Sequence, residues 1–171
     1  MSQKTDSMHR LAMVAAIAAF ALPSFADRAT DHLKRIEDFR ESVYLCQAGE
    51  RAIGYGFTSA DMIAKGHITR AEADKELERL CQNIRRQIRK ELKGQPLTDG
   101  ETAALVSFVY NVGWRNFKNS TILKKIRQGK RGVEVGEEFR RWVYVTKGGK
   151  KIRSRGLQKR RLSEAVMFSN R

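Results

Sequence analysis

One short stretch places three candidate proton-transfer groups close together in sequence, namely the carboxyl groups of Glu37 and Glu50 and the thiol of Cys46. Glu37 closes a helical pattern, an aromatic-bearing strand pattern follows, and Gly49 marks the turn into a second strand pattern. Carboxyl and thiol groups are among the side chains that general acid–base catalysis uses. The stretch therefore indicates a candidate proton-transfer site built on a β-hairpin.

Residues 37–58, EDFRESVYLCQAGERAIGYGFT, resemble the active-site hairpin of the phage-type lysozymes. Aligned without a gap, the matching positions are Glu37, Arg40, Tyr44, Gly49, Gly54, Gly56 and Thr58. The chain departs from the pattern where the family has an aspartate, a threonine and a histidine, and carries Cys46, Ala52 and Phe57 there. The resemblance implies a lysozyme-like fold with an altered catalytic hairpin.

The resemblance implies that Glu37 is the acid that protonates the leaving oxygen of a glycosidic bond. A general acid of this kind needs surroundings that raise its pKa towards the working pH. Cys46 can hold or activate a water only as a thiolate, whereas an unperturbed thiol is mostly protonated near neutral pH. The alternative for Cys46 is a small buried hydrophobe in a decayed site. Ala52 offers no hydrogen-bonding group at all.

Glu50 is a second candidate for the missing catalytic partner. It lies two residues before Ala52, so the two side chains share one face of a strand. A carboxylate at this place would reach into the cleft from a slightly different origin. The alternative is an exposed hairpin residue beside Arg51.

The C-terminal half carries further motifs that resemble the same family. Residues 104–125, ALVSFVYNVGWRNFKNSTILKK, resemble its A-L-x-S-F-x-x-N-x-G-x-x-x-F-x-x-S-T run. Three shorter motifs follow in the family's order, F-x-R-W at 139–142, G-G-K at 148–150 and G-L-x-x-R-R at 156–161. Together with the hairpin, the resemblance covers nearly all of 28–168.

The resemblance implies substrate-binding roles for Asn111, Arg160 and Arg161. The amide of Asn111 donates and accepts, which suits sugar hydroxyl and acetamido groups, and its alternative is a helix-terminal cap. In the family an arginine from the terminal helix lies beside the catalytic glutamate, so either Arg160 or Arg161 is expected to pair with Glu37. Trp142 is expected in the core rather than as a sugar platform.

The first 26 residues have the pattern of a secretory signal peptide. Charged residues precede the apolar run Leu11 to Leu22, and Pro23-Ser24-Phe25-Ala26 resembles a small-x-small cleavage site. About a dozen apolar residues are too few to span a bilayer comfortably. We expect cleavage after Ala26, which leaves a lysozyme-like domain at 27–171, and the alternative is a retained signal anchor.

The chain is strongly basic, with 34 Lys and Arg against 19 Asp and Glu and a net charge of +15. Such a charge attracts polyanions. For an exported protein these are peptidoglycan and anionic envelope surfaces, and we expect no nucleic-acid partner because neither zinc-ligand clusters nor RNA-binding aromatic motifs occur. The Lys147–Arg155 run is expected to be a solvated face that aids attachment to the wall.

Local patterns predict an α+β fold, mainly helical, with a small antiparallel β-hairpin lobe and a long connecting helix. Helices are expected at Thr30–Arg40, at Ser59–Lys65, from a Thr69/Glu72 capping box to about Leu92, and at 101–112 after a Thr98/Glu101 capping box.

The two cysteines have different sequence surroundings. Cys81 falls in the buried-helix series Leu77, Leu80, Cys81, Ile84 and Ile88, and we expect a core thiol there. A Cys46–Cys81 disulfide stays open as the alternative, since exported proteins form such bridges.

Two function classes follow from these patterns. The first is a muramidase that cleaves the N-acetylmuramic acid–N-acetylglucosamine bond of peptidoglycan with Glu37 as acid and an altered partner. The second is a lysozyme-like module that binds the wall, or scaffolds an envelope assembly, without hydrolysing it. The retained Glu37 favours the first class, and we expect a monomer that uses neither a metal nor a cofactor.

Overall fold

The computed structural model describes residues 27–46 and 49–170, and the predicted signal peptide at 1–26 lies outside them. No helix within the described residues is long and apolar enough to cross a membrane. The elements, in chain order, are α1 (Arg28–Ile36), β1 (Arg40–Leu45), β2 (Arg51–Gly54), α2 (Ala60–Ala64), α3 (Arg70–Glu91), α4 (Asp99–Val112), α5 (Trp114–Lys118), α6 (Thr121–Arg127), α7 (Val133–Phe139), β3 (Tyr144–Lys147), β4 (Lys150–Arg153) and α8 (Arg155–Ser169).

The predicted capping boxes set the starts of the two central helices. The Thr69 hydroxyl accepts from the Glu72 backbone N–H at 3.2 Å, and the Glu72 carboxylate accepts from the Thr69 N–H at 2.9 Å. Thr98 and Glu101 form the same reciprocal pair at the start of α4. Each box satisfies two backbone donors that a helix terminus otherwise leaves without partners. The predicted long helix is therefore confirmed as α3.

The first helix is shorter than the sequence predicts. It ends at Ile36, and Glu37 already has extended backbone angles, with φ −99 and ψ 127. The prediction that the helix continues to Arg40 is wrong because Arg40 pairs with Gly54 in the first hairpin. Glu37 is thus held at a helix-to-strand junction.

The α+β prediction is confirmed, but the structure contains a second hairpin that the sequence reading missed. Strands β3 and β4 pair antiparallel, with Val145 opposite Ile152, where only a solvated charged run was expected. The turn residues Gly148 and Gly149 have φ angles of +55 and +75. Positive φ at both central residues is the signature of a type I′ two-residue hairpin turn, and glycine adopts it without strain.

The core is centred on α4, which is buried along nearly its whole length and packs against α1, α3 and α8. Gly100 allows the close approach of α8, because a Cβ there would lie 2.5 Å from the backbone oxygen of Met167. Cys81 has no exposed surface and is a free thiol, as the predicted core role requires. Cys46 is also free, so this structure has no Cys46–Cys81 bridge.

Candidate active site

Glu37 lies where α1 ends, and its position is fixed from both sides. Its backbone N–H donates to the Leu33 carbonyl oxygen at 2.9 Å and so closes the last turn of the helix. Its side chain keeps 24 % of its exposure and pairs with the guanidinium of Arg160. The carboxylate is therefore held on one side and open to solvent on the other.

Arg160 is the predicted arginine partner of Glu37, and a buried network holds it in place. Its Nε donates to Glu164 Oε1 at 3.2 Å, and its Nη2 donates to the Ser107 carbonyl oxygen at 2.9 Å. The Ser107 hydroxyl donates to the same Glu164 oxygen at 2.6 Å. Since the Glu164 side chain has no exposure, these bonds are what compensate its burial.

Arg161 lies in the core and does not reach the surface. It is fully buried, pairs with Glu164, donates from Nε to the Trp142 carbonyl oxygen at 3.1 Å and stacks on the Phe108 ring at 4.8 Å. In this arrangement Arg161 reaches neither solvent nor the surface, and its substrate-binding role stays a prediction. Its remaining bond, to Asn111, gives it an indirect role.

Asn111 is exposed in the last turn of α4, and its side chain is not a helix cap. Its Oδ1 accepts a hydrogen bond from Arg161 Nη2, while Gly113 ends the helix. This bond occupies the amide oxygen and leaves the Nδ2 donor free to face outward. Asn111 is thus oriented by the same buried carboxylate, Glu164, that holds Arg160.

Two tyrosines lie within electrostatic reach of Glu37. Burial raises the pKa of both Tyr44 and Tyr110, and the negative charge of Glu37 raises it further. Tyr110 donates to the Tyr55 carbonyl oxygen at 2.9 Å, and the Arg40 guanidinium lies 4.8 Å from the centre of the Tyr44 ring. Both phenols therefore stay protonated and offer polar groups beside the carboxylate.

The first hairpin places the predicted helper residues together on one face. Tyr44 lies opposite Ala52, and the backbone N–H of Cys46 donates to the Glu50 carbonyl oxygen at 2.8 Å. Cys46 is half-buried and Glu50 is exposed at the hairpin end. The two residues are therefore paired through their backbones across the end of the hairpin.

Two of the departures from the lysozyme pattern are core residues. Ala52 is 1 % exposed, and Phe57 is 4 % exposed. The Phe57 ring packs on Gly54 so closely that a Cβ there would lie 2.7 Å from it. A polar histidine has thus been replaced by a packing residue, and the hairpin lobe is more apolar at this point.

A groove of about 1060 Å³ opens beside this cluster. It runs between the end of α1, the end of α4, the second hairpin and the start of α8, and it is lined by Ile36, Asn111, Val145, Thr146, Lys147, Ser154, Gly156, Leu157, Lys159 and Arg160. Glu37 is not itself among the lining residues, but its sequence neighbour Ile36 and its ion partner Arg160 both are. Cys46 and Glu50 do not line the groove.

Residues 34–164 match the sequence model of a family described as phage lysozyme. The chain belongs to the phage lysozyme family. The match spans Glu37, both hairpins, the buried arginines of α8 and Glu164, and it begins within the last turn of α1.

Relatives and solved structures agree with this membership. An endolysin of Acyrthosiphon pisum secondary endosymbiont phage 1 is 32 % identical over 138 residues, covering 81 % of this chain and 92 % of that protein. An endolysin from Escherichia coli O157:H7 phage FAHEc1 superposes with a TM-score of 0.71 at 32 % identity over 82 % of this chain and 89 % of that one. The muramidase domain of SpmX from Asticaccaulis excentricus gives 0.71 at 27 % identity over 84 % and 95 %.

Sequence reasoning missed two members of the site of this lysozyme-family chain. Glu164 follows Arg160 by four residues and Arg161 by three, and this spacing brings the side chains together on a helix. The spacing alone could have predicted the two ion pairs. His32, on α1, is 3 % exposed and its Nε2 has no hydrogen-bond partner among the described residues. Burial, followed by the positive charges of Arg160 and Arg35, lowers the pKa of His32 to about 4.

Proposed function

We propose that this chain is a peptidoglycan muramidase that hydrolyses the N-acetylmuramic acid–N-acetylglucosamine bond. The observation that carries the proposal is the position of Glu37, at the end of α1 and against a buried Arg160–Glu164 pair, in a chain whose family match runs from residue 34 to residue 164. A purely structural role would not require a carboxylate that is held by a buried ion pair and is still open to solvent. Glu37 donates the proton to the departing glycosidic oxygen as the bond to the sugar carbon breaks.

The second half of the reaction needs a group that orients or deprotonates the attacking water. Cys46 and Glu50, which are joined by a backbone hydrogen bond at the hairpin end, are the proposed candidates for this group, and both lie outside the groove lining. Either the Glu50 carboxylate or the Cys46 thiol takes the role of the base, and single substitutions separate the two. Water adds its oxygen to the sugar carbon and loses its proton to this pair.

Asn111 and Arg160 are the proposed substrate-binding residues. Both line the groove, and the outward Nδ2 of Asn111 is a donor suited to the carbonyl oxygen of an acetamido group. The apolar side chains of Ile36, Val145 and Leu157 offer surface for sugar rings and methyl groups.

The proposed place of action is outside the cytoplasm. The signal-peptide pattern of residues 1–26 supports export. Export would bring the enzyme to its proposed substrate, because peptidoglycan lies outside the cytoplasm. A net charge of +15 draws such an enzyme to an anionic envelope.

A zymogram on purified cell wall tests the proposal. Wild type should clear the wall and release sugar fragments, and Glu37→Gln, which keeps the size of the side chain, should abolish release. Removing a positioned acid typically costs about 10²–10⁴-fold in rate. Clearing by Glu37→Gln at the rate of wild type would assign the activity to another residue and overturn the mechanism.

The second candidate function is wall binding without hydrolysis. Ala52 favours it, because this buried methyl group stands where the family has a hydroxyl that helps position water. Cys46→Asp combined with Ala52→Thr restores both family side chains, and on the muramidase reading it should raise activity well above wild type. A double variant that folds and binds wall but still releases no sugar would favour the binding module.

Single changes at the hairpin separate the two proposed helpers. Cys46→Ser should lower turnover if the thiol takes part, while Cys46→Asp should preserve or raise it. Glu50→Gln tests the carboxylate in the same way, and Arg51→Gln is its control as the adjacent exposed hairpin residue. Unchanged turnover in both Cys46→Ser and Glu50→Gln would remove this pair from the mechanism.

A further inference from the structure

The second hairpin stands out from the fold as a ribbon with little support. All eight residues of β3 and β4 are exposed. Among them are three large apolar or aromatic side chains, Tyr144 at 53 %, Val145 at 38 % and Ile152 at 47 % exposure. A two-stranded hairpin alone is marginally stable in water, so a ribbon with such side chains on its surface gains from a partner that covers it.

The same ribbon concentrates positive charge without counter-charge. Six cations, none of which forms an ion pair with any described residue, lie in or next to it: Lys147, Lys150, Lys151, Arg153, Arg155 and Lys159. No acidic residue occurs between Trp142 and Ser163. Elsewhere many cations are paired, as Arg79 is with Glu76 and Lys125 with Glu138. The hairpin region is therefore a focus of uncompensated charge on this basic chain.

The pairing register places both kinds of side chain on both faces of the ribbon. One face carries the Tyr144–Arg153 and Thr146–Lys151 pairs, and the other carries Val145–Ile152 and Lys147–Lys150. On each face the large side chains lie near the base of the hairpin and lysines lie nearer its turn. Each face therefore offers apolar surface and positive charge together.

We propose that the β3–β4 hairpin docks on a bilayer surface that contains anionic phospholipid. A soluble polyanion accounts for the cations but gives the exposed Tyr144 and Ile152, which lie outside the groove, nothing to bury against. A bilayer interface offers both, because each Lys or Arg near an anionic leaflet contributes about 1 kcal/mol and tyrosine favours the headgroup region. Docking of this kind does not require hydrolysis, so it stands or falls separately from the muramidase proposal.

Vesicle sedimentation with the full-length chain tests the charged part of the surface. The probe is vesicles of equimolar phosphatidylglycerol and phosphatidylcholine, compared with phosphatidylcholine alone. Lys150→Glu/Lys151→Glu/Arg153→Glu should weaken binding to the anionic vesicles roughly tenfold or more. The control, Lys75→Glu/Arg86→Glu/Lys118→Glu, changes the net charge equally at exposed cations far from the hairpin in sequence and should bind much as wild type does. Residues 1–26 are present in every variant and cancel in the comparison.

The apolar part of the surface decides between lipid and other anions. Tyr144→Ser/Ile152→Ser should weaken binding to anionic vesicles but leave the affinity for soluble polyphosphate unchanged. If this variant binds vesicles as wild type does, the surface is a general polyanion site and the proposal is overturned. If the control with substitutions in α3 and α5 loses as much vesicle binding as the hairpin variant, the binding is a net-charge effect and the proposal is overturned as well. A hairpin variant that loses binding to isolated peptidoglycan sacculi but keeps vesicle binding overturns it as well. Circular dichroism checks that each variant is folded.

Discussion

Arg160, the ion partner of Glu37, is bound through its Nε at 3.2 Å by Glu164, whose side chain has no solvent exposure. The direction of the candidate acid is thus set by a carboxylate that touches neither solvent nor the groove. Through Arg161, the same carboxylate also orients Asn111. One buried charge therefore positions both the acid and a proposed substrate-binding amide.

We expect Glu164→Gln to lower the free energy of unfolding by about 3–5 kcal/mol, because it removes the buried carboxylate that both arginines share and leaves Arg161, unlike Arg160, without any ion partner among the described residues. Turnover on cell wall should fall as well, since Arg160 loses the group that aims it. Urea unfolding and wall hydrolysis measure the two effects. Ser107→Ala is the control, because it removes one hydrogen bond to Glu164 but no charge and should cost only about 1 kcal/mol. Equal stability of Glu164→Gln and wild type would refute the role of the network.

Asn111→Asp separates the two ends of the Asn111 side chain. The variant keeps an oxygen for Arg161 but removes the outward N–H donors, so stability should hold while the KM for wall fragments rises. Asn111→Ala should lose stability too, by about 1–3 kcal/mol, because Arg161 Nη2 is left without its acceptor. Wild-type KM in Asn111→Asp would argue against contact between this amide and the substrate.

Local sequence signals predicted those parts of the fold that depend on residues close together along the chain. Both capping boxes were predictable because the donor and acceptor lie three residues apart. The second hairpin was predictable in principle, since Gly148-Gly149 is a turn signal and β-branched residues lie on both sides of it. It was missed because its charges suggested a solvated run with no structure.

The remaining parts of the site depend on contacts between distant segments. Arg160 and Glu37 are 123 positions apart, so only the family resemblance brought them together before the fold was known. The same limit applies to Arg161: its sequence neighbours do not reveal that it lies between Phe108 and Glu164 and is fully buried. Burial of a charge is decided by what packs around it, which local patterns do not encode.

The two thiols should differ sharply in reactivity. Burial raises the pKa of the Cys81 thiol to about 11, so it has neither access nor thiolate, whereas Cys46 is half-buried on the hairpin. Titration with a chromogenic disulfide reagent should count one fast thiol in the native protein and two after unfolding in urea. Cys46→Ser should abolish the fast reaction, and Cys81→Ser should leave it intact. No thiol before or after unfolding would indicate the disulfide that this structure lacks.

The free energy of unfolding should decrease as the pH drops, because of His32. Its pKa in the folded chain is about 4, below the ordinary 6.5, so the unfolded chain binds a proton first as the pH drops. The folded state therefore loses stability from near pH 6.5 downward, and the loss is complete below about pH 4.

Between pH 7 and pH 5 this amounts to about 2 kcal/mol. His32→Leu removes the group that titrates. Because Nε2 of His32 has no hydrogen-bond partner among the described residues, its removal leaves no partner of Nε2 without a hydrogen bond. Urea unfolding at a series of pH values should show the wild-type free energy falling relative to the variant over this range. His67→Leu is the control, because it removes an exposed histidine from the same chain and leaves the buried His32 in place. Parallel curves for wild type and His32→Leu would mean that His32 accepts its proton in the folded state without penalty, and that its burial beside Arg160 is relieved by local opening.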